Sequence, residues 1–111
     1  MRKFLCISFL LLAACQPKIQ SVPEDWIGKW IGPEGTYLEI KQGADGYITV
    51  ATQSLDAWVV SQGKWRDDHI VFSRDGIDET VRKGTGEETG MKWLLDKENC
   101  LVIKTGEGYC R

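Results

Sequence analysis

The sequence predicts an all-β domain, a small antiparallel barrel or sandwich of about seven to nine short strands. Three observations carry that expectation. From Asp25 onward, apolar and polar residues alternate in short runs broken by glycine and aspartate. Turn signals recur about every ten residues, the spacing of small barrels and sandwiches. No window sustains the i, i+3, i+4, i+7 apolar pattern of an amphipathic helix. With 111 residues, 42% hydrophobic and five tryptophans, the chain has the makings of one domain and is too apolar to be disordered.

The N-terminal residues stand outside this domain. Arg2 and Lys3 precede an uncharged stretch, residues 4–14, dominated by Leu, Ile, Phe and Ala. A membrane-spanning helix needs about 20 such residues, so this shorter run reads as the apolar centre of a signal peptide. It ends in Leu12-Ala13-Ala14-Cys15, which resembles the lipobox of bacterial lipoproteins. The resemblance implies cleavage after Ala14, followed by a diacylglyceryl thioether and an acylated amine on Cys15. Gln16 follows where an aspartate would favour the inner membrane, so the analogy implies the outer one. Loss of Arg2 and Lys3 leaves twelve bases against sixteen acids, a net charge of −4. Such a body offers no basic stripe for nucleic acid and no attraction to anionic lipid. Attachment then rests on acyl chains, each worth ~0.8 kcal/mol per buried CH₂.

The expected organisation is a signal peptide over residues 1–14, a lipidated N-terminus and tether over 15–24, and a β-barrel-like domain over 25–111. Trp26-Ile27-Gly28-Lys29-Trp30 opens the body, and Gly32-Pro33-Glu34-Gly35 is a turn by composition. Residues 36–41 alternate with Leu38 and Ile40 on one face. After a turn at 42–46, residues 47–52 alternate again with Ile48 and Val50 paired. Residues 57–60 and Lys64-Trp65 form one longer strand, with Gly63 a candidate bend or bulge. Asp67-Asp68 turns the chain into residues 69–73. Asp75-Gly76 is the strongest hairpin signal, since a type I′ turn needs φ > 0 at both central residues. It leads into residues 77–82. Residues 84–90, with three glycines, read as a connector, a functional loop being the alternative. Met91, Leu94 and Leu95 could share a helical face, but Gly90 and Asn99 favour a strand there, with 96–99 as its turn. At about 85 residues the body is expected to be too short for a full eight-stranded barrel holding a ligand.

The last hairpin is predicted in register. Gly106 sits where a three-residue loop, Lys104-Thr105-Gly106, needs its left-handed residue. That loop pairs Ile103 with Glu107, Leu101 with Tyr109, and Cys100 with Cys110. Directly opposite cysteines at a non-hydrogen-bonded pair lie within disulfide reach. An even cysteine pair suits an oxidising, exported compartment.

Catalytic sets are nearly absent, and no enzyme activity, metal or cofactor is expected. His69 is the one histidine and reads as a solvated turn residue. Two cysteines and one histidine fall short of four zinc ligands. Asp78-Glu79 and Glu87-Glu88 read as solubilising pairs. Trp30 and Trp93 read as core. Trp58 and Trp65 lie seven apart, so a regular strand points them to opposite faces, one of them outward. The candidate binding surface is Lys92, Glu107 and Tyr109 near the stapled hairpin, together with Trp58.

Gly28-Lys29-Trp30 resembles the Gly-x-Trp of lipocalins and lipocalin-like domains, in which the tryptophan closes the barrel base. The lipobox, short tether, β domain and C-terminal cysteine pair together look like small envelope lipoproteins of Gram-negative bacteria, some of which inhibit host lysozyme. The resemblance implies a lipoprotein in the outer membrane, held by palmitate-type lipid and facing the periplasm. Its expected role is a non-enzymatic binding or inhibitor module for an envelope protein, glycan or lytic enzyme. A structural accessory subunit of an envelope assembly is the alternative.

Overall fold

A computed structural model describes residues 20–111. The signal peptide and Cys15 lie outside the described residues. Eight strands follow one another: β1 Gly28–Ile31, β2 Tyr37–Gln42, β3 Tyr47–Gln53, β4 Trp58–Arg66, β5 His69–Arg74, β6 Ile77–Gly84, β7 Cys100–Lys104 and β8 Glu107–Cys110. Each pairs antiparallel with the next, and β8 closes on β1 through Ile31 opposite Cys110. The result is a closed barrel of eight strands. No helix among the described residues is long and apolar enough to cross a membrane.

The period-2 pattern decides what fills the barrel. Trp30, Leu38, Ile40, Ile48, Val50, Ile70, Phe72, Val81 and Leu101 all point inward and are buried. Gly63 also faces inward, and a Cβ there would stand 2.8 Å from the Val71 carbonyl oxygen. The residue is glycine because β4 and β5 approach closely, and the β3–β4 register runs through it unbroken. No bulge forms, so Trp65 packs inward against the core while Trp58 stays 47% exposed. At the Asp75-Gly76 turn φ is 54° and 76°, as a type I′ hairpin requires.

One end of the barrel is plugged. The 3₁₀ turn Glu24–Trp26 lays Trp26 edge-on to Trp65, ring centroids 5.0 Å apart. Trp30 is fully buried and donates its Nε1–H to the Trp26 carbonyl at 2.8 Å. Arg111 stacks on the Trp30 ring at 4.2 Å and donates to the carbonyls of Asp25, Ile27 and Lys29. Gly28 has φ 107° and leaves room for that guanidinium, which a Cβ would meet at 2.7 Å. Val22 already belongs to the core, so the body begins before the expected boundary at 25.

Residues 87–98 form no strand. They make two 3₁₀ turns, Glu87–Thr89 and Lys92–Leu94. The reason is closure: β6 and β7 are paired on both sides, which leaves no edge for a further strand. The segment instead folds over the outside. Thr85 and Glu88 cap one another reciprocally, with Thr85 N–H to Glu88 Oε1 at 2.9 Å and Glu88 N–H to Thr85 Oγ1 at 3.3 Å. Buried Thr89 donates to the Gly86 carbonyl and accepts from Met91 N–H. Leu94 is thereby set over the disulfide, with Met91 beside it. Trp93, in the middle of the turn Lys92–Leu94, points away and is 72% exposed, not core as the sequence suggests. The glycines of 84–90 allow tight packing rather than mobility: a Cβ on Gly86 would fall 1.5 Å from the Leu94 carbonyl oxygen.

The C-terminal hairpin keeps the expected pairs Cys100–Cys110 and Leu101–Tyr109, and the disulfide joins cysteines whose Cα atoms lie 4.0 Å apart. The pairing of Ile103 with Glu107 does not form. Glu107 pairs with Lys104, and Ile103 is the extra residue of a bulge. Ile103 keeps the inward phase of Leu101 and is 8% exposed, while the bulge brings Lys104 opposite Glu107.

Candidate functional site

In an up-and-down barrel the turns alternate between ends. The turns β1–β2, β3–β4, β5–β6 and β7–β8 therefore surround the end opposite the tryptophan plug. That end is open and holds a cavity of about 600 Å³. Apolar wall comes from Ala57, Val59, Ile77 and Met91, and polar wall from Thr36 and Thr52. The length of the body suggested no room for such a space. Strands of four to nine residues and tight turns provide it.

The floor of the cavity is an ion network. Arg74 continues the inward phase of Ile70 and Phe72, Glu79 that of Val81, and Glu107 that of Tyr109. Arg74 donates from Nη1 and Nη2 to the two oxygens of Glu107 at 2.8 and 2.7 Å. Its Nε–H goes to Glu79 Oε2 at 2.6 Å. Tyr109 donates its hydroxyl to Glu107 Oε2 at 2.8 Å, and Lys104 reaches Glu79 Oε1 at 3.3 Å. The side chains of Arg74 and Glu79 are 13% and 10% exposed. Among the described residues, every buried side-chain nitrogen and oxygen has a partner.

Burial works against the Glu107 carboxylate, but hydrogen bonds from Arg74 and Tyr109 and the Arg74 charge outweigh it. The group is held below its ordinary 4.5. Burial first, then the Glu107 charge, pushes the Tyr109 hydroxyl well above its usual range, so it remains a donor at neutral pH. Hydrogen bonding to Glu107 raises Arg74 further.

A depressed carboxylate stabilises the fold above its unfolded pKa and loses that contribution as pH falls through the folded value. Arg74→Leu leaves Glu79 and Glu107 facing each other. It is expected to cost about 2 kcal/mol at neutral pH, below the 3–5 of a fully buried pair because the mouth admits water. The deficit should shrink as pH falls through the depressed Glu107 value and that carboxylate protonates. Urea unfolding of both proteins at pH 7 and 3.5 measures it, and an equal deficit at both values contradicts the network.

Of the residues singled out in the sequence, Glu107 and Tyr109 meet in this network. Lys92 is exposed on the turn Lys92–Leu94 and does not line the cavity. Trp58 lies on the outer face beside Tyr37, ring centroids 5.7 Å apart. Arg74 and Glu79 complete it; Glu79 is not the solubilising residue that its place beside Asp78 suggests, since both continue the inward phase of their strands. His69 is not a solvated turn residue. Its side chain is 13% exposed and its Nδ1 lies 3.0 Å from Asp68 Oδ1, outside the cavity. Its hydrogen bond lowers the Asp68 carboxyl. Among the described residues, no three His, Cys, Asp or Glu side chains group to hold a metal.

Compared with protein-family models, curated proteins and solved structures, the chain matches none.

Proposed function

We propose that this chain is a lipoprotein of the bacterial outer membrane, anchored through Cys15, whose barrel is a non-enzymatic binding module for the periplasm. The observation that carries the reading is the asymmetry of the barrel, packed solid at one end and open at the other. A closed barrel with an amphipathic mouth is a common setting for ligand binding. The place of Trp30 at the plugged end supports the lipocalin-like resemblance of Gly28-Lys29-Trp30.

The described chain enters at the plugged end, where Val22 N–H bonds to Gln42 Oε1 at 2.8 Å. Only residues 16–21 separate Val22 from Cys15, at most about 25 Å of extended chain. A lipid on Cys15 therefore holds the plugged end near the bilayer and turns the mouth away from it. A mouth so presented can meet an envelope protein, a glycan or a lytic enzyme.

A structural subunit of an envelope assembly is the second reading. One outer face favours it: Ile31, Trp58 and Val60 stand 51%, 47% and 57% exposed there.

Photo-crosslinking in living cells decides between them. A probe at Ile77 in the mouth is expected to capture a partner, and one at Glu39 on the outer face to capture none. The reverse pattern favours the assembly subunit. Mass spectrometry of Cys15 tests the anchor, and an unmodified thiol overturns it.

A further inference from the structure

The charges around the mouth limit what it accepts. This inference rests on the mouth being the binding site and specifies the ligand. An anionic head group would be drawn to Arg74, but that guanidinium is already taken by two carboxylates, bidentate from Glu107 and single from Glu79. Displacing either would leave a carboxylate in the floor without its cation, a costly exchange. Lys104, 62% exposed, makes one contact with the same Glu79, so its charge is offset there although its ammonium stays in water.

The acids outnumber the bases. Glu34, Asp75, Glu79 and Glu107 line the cavity against Arg74 and Lys104. Across the network Arg74 and Lys104 balance Glu79 and Glu107, so the surplus charge is that of Glu34 and Asp75. Both are exposed, and neither forms an ion pair among the described residues. They sit in the β1–β2 and β5–β6 turns, which the strand order places across the mouth from each other. Two uncompensated carboxylates at the rim of a partly apolar cavity attract a cation and disfavour an anion.

We propose that the mouth takes a cationic amphiphile, an ammonium or guanidinium head on an apolar body. The body lies along Ala57, Val59 and Ile77, and the head meets the field of Glu34 and Asp75. The same chemistry is available in a free alkylamine and in a basic side chain flanked by apolar residues on another protein.

The test titrates decylammonium and decanoate below their micelle concentrations and decanol below its solubility limit into the isotope-labelled protein and follows amide shifts. Decylammonium is expected to bind at least tenfold more tightly than decanoate, with shifts centred on Ala57, Val59 and Ile77. The double variant Glu34→Gln, Asp75→Asn carries two exposed, conservative changes, and is expected to weaken that binding about fivefold and leave decanol unaffected. Equal or tighter binding of decanoate, or no loss in the double variant, overturns the cationic assignment while leaving the mouth as a site. Absence of mouth shifts with all three probes overturns the mouth itself and this assignment with it. A capped Leu-Arg-Leu peptide separates the sources. Tighter binding than decylammonium points to a protein side chain, and weaker binding to a free amine.

Discussion

Replacing Trp30 with alanine is expected to cost about 4 kcal/mol, the largest effect of any single change in this barrel. Three losses coincide. The fully buried indole leaves a cavity at the plugged end. The Trp26 carbonyl loses the 2.8 Å hydrogen bond that ties the entry turn to β1. Arg111 loses the ring on which it stacks, at 4.2 Å, while it bridges the carbonyls of residues 25, 27 and 29. A domain of this size has only about 5–15 kcal/mol in total. Thermal melting followed by circular dichroism should fall by more than 15 °C, at roughly 4–8 °C per kcal/mol. Trp30→Phe keeps a ring and removes the donor, so it should remain folded and lose about 1–2 kcal/mol. A phenylalanine variant as unstable as the alanine one would show that ring volume is not what matters, and an alanine variant melting like the parent would remove the plug from the account.

Opening the Cys100–Cys110 disulfide is expected to cost about 3 kcal/mol, from the unfolded-chain entropy of a short closed loop. The bond stands at the seam of the barrel, because Cys110 is also the residue paired with Ile31 where β8 meets β1. It supports Leu94 and the turns that cover it as well. Full reduction should lower the melting temperature by more than 10 °C, and the double variant Cys100→Ala, Cys110→Ala should match it without reductant. An unchanged melt after complete thiol exposure contradicts this role.

Much of the barrel wall was legible because its signals are local. Leu38 and Ile40, then Ile48 and Val50, alternate with polar residues and are all buried. Asp75-Gly76 declares its turn, and the disulfide register follows from the spacing around Gly106 even though a bulge at Ile103 alters the pairing beside it. The capping box of Thr85 and Glu88, three residues apart, is a local signal too, yet Glu88 reads in the sequence only as a solubilising residue. The site was less legible. The phase of β5 puts Arg74 inward, but a charged side chain at a strand end is ordinarily solvated. Only its partners on β6 and β8 make the inward position tenable. Trp93 misled in the other direction, because large apolar size suggests burial while burial needs a surface to pack on.

Alternation, turn type and cysteine register depend on residues close together in the chain, and those were settled by amino-acid order alone. Closure was not. Whether β8 meets β1 depends on twist accumulated over eight strands, and from closure follow the lost place for a ninth strand, the outward Trp93 and the open mouth. The pairing of Arg74 with Glu107 spans 33 residues of sequence, and the bridge from Arg111 to Asp25 spans 86. Such partners are chosen by where the folded sheet carries them, since no local propensity reaches across the width of a barrel.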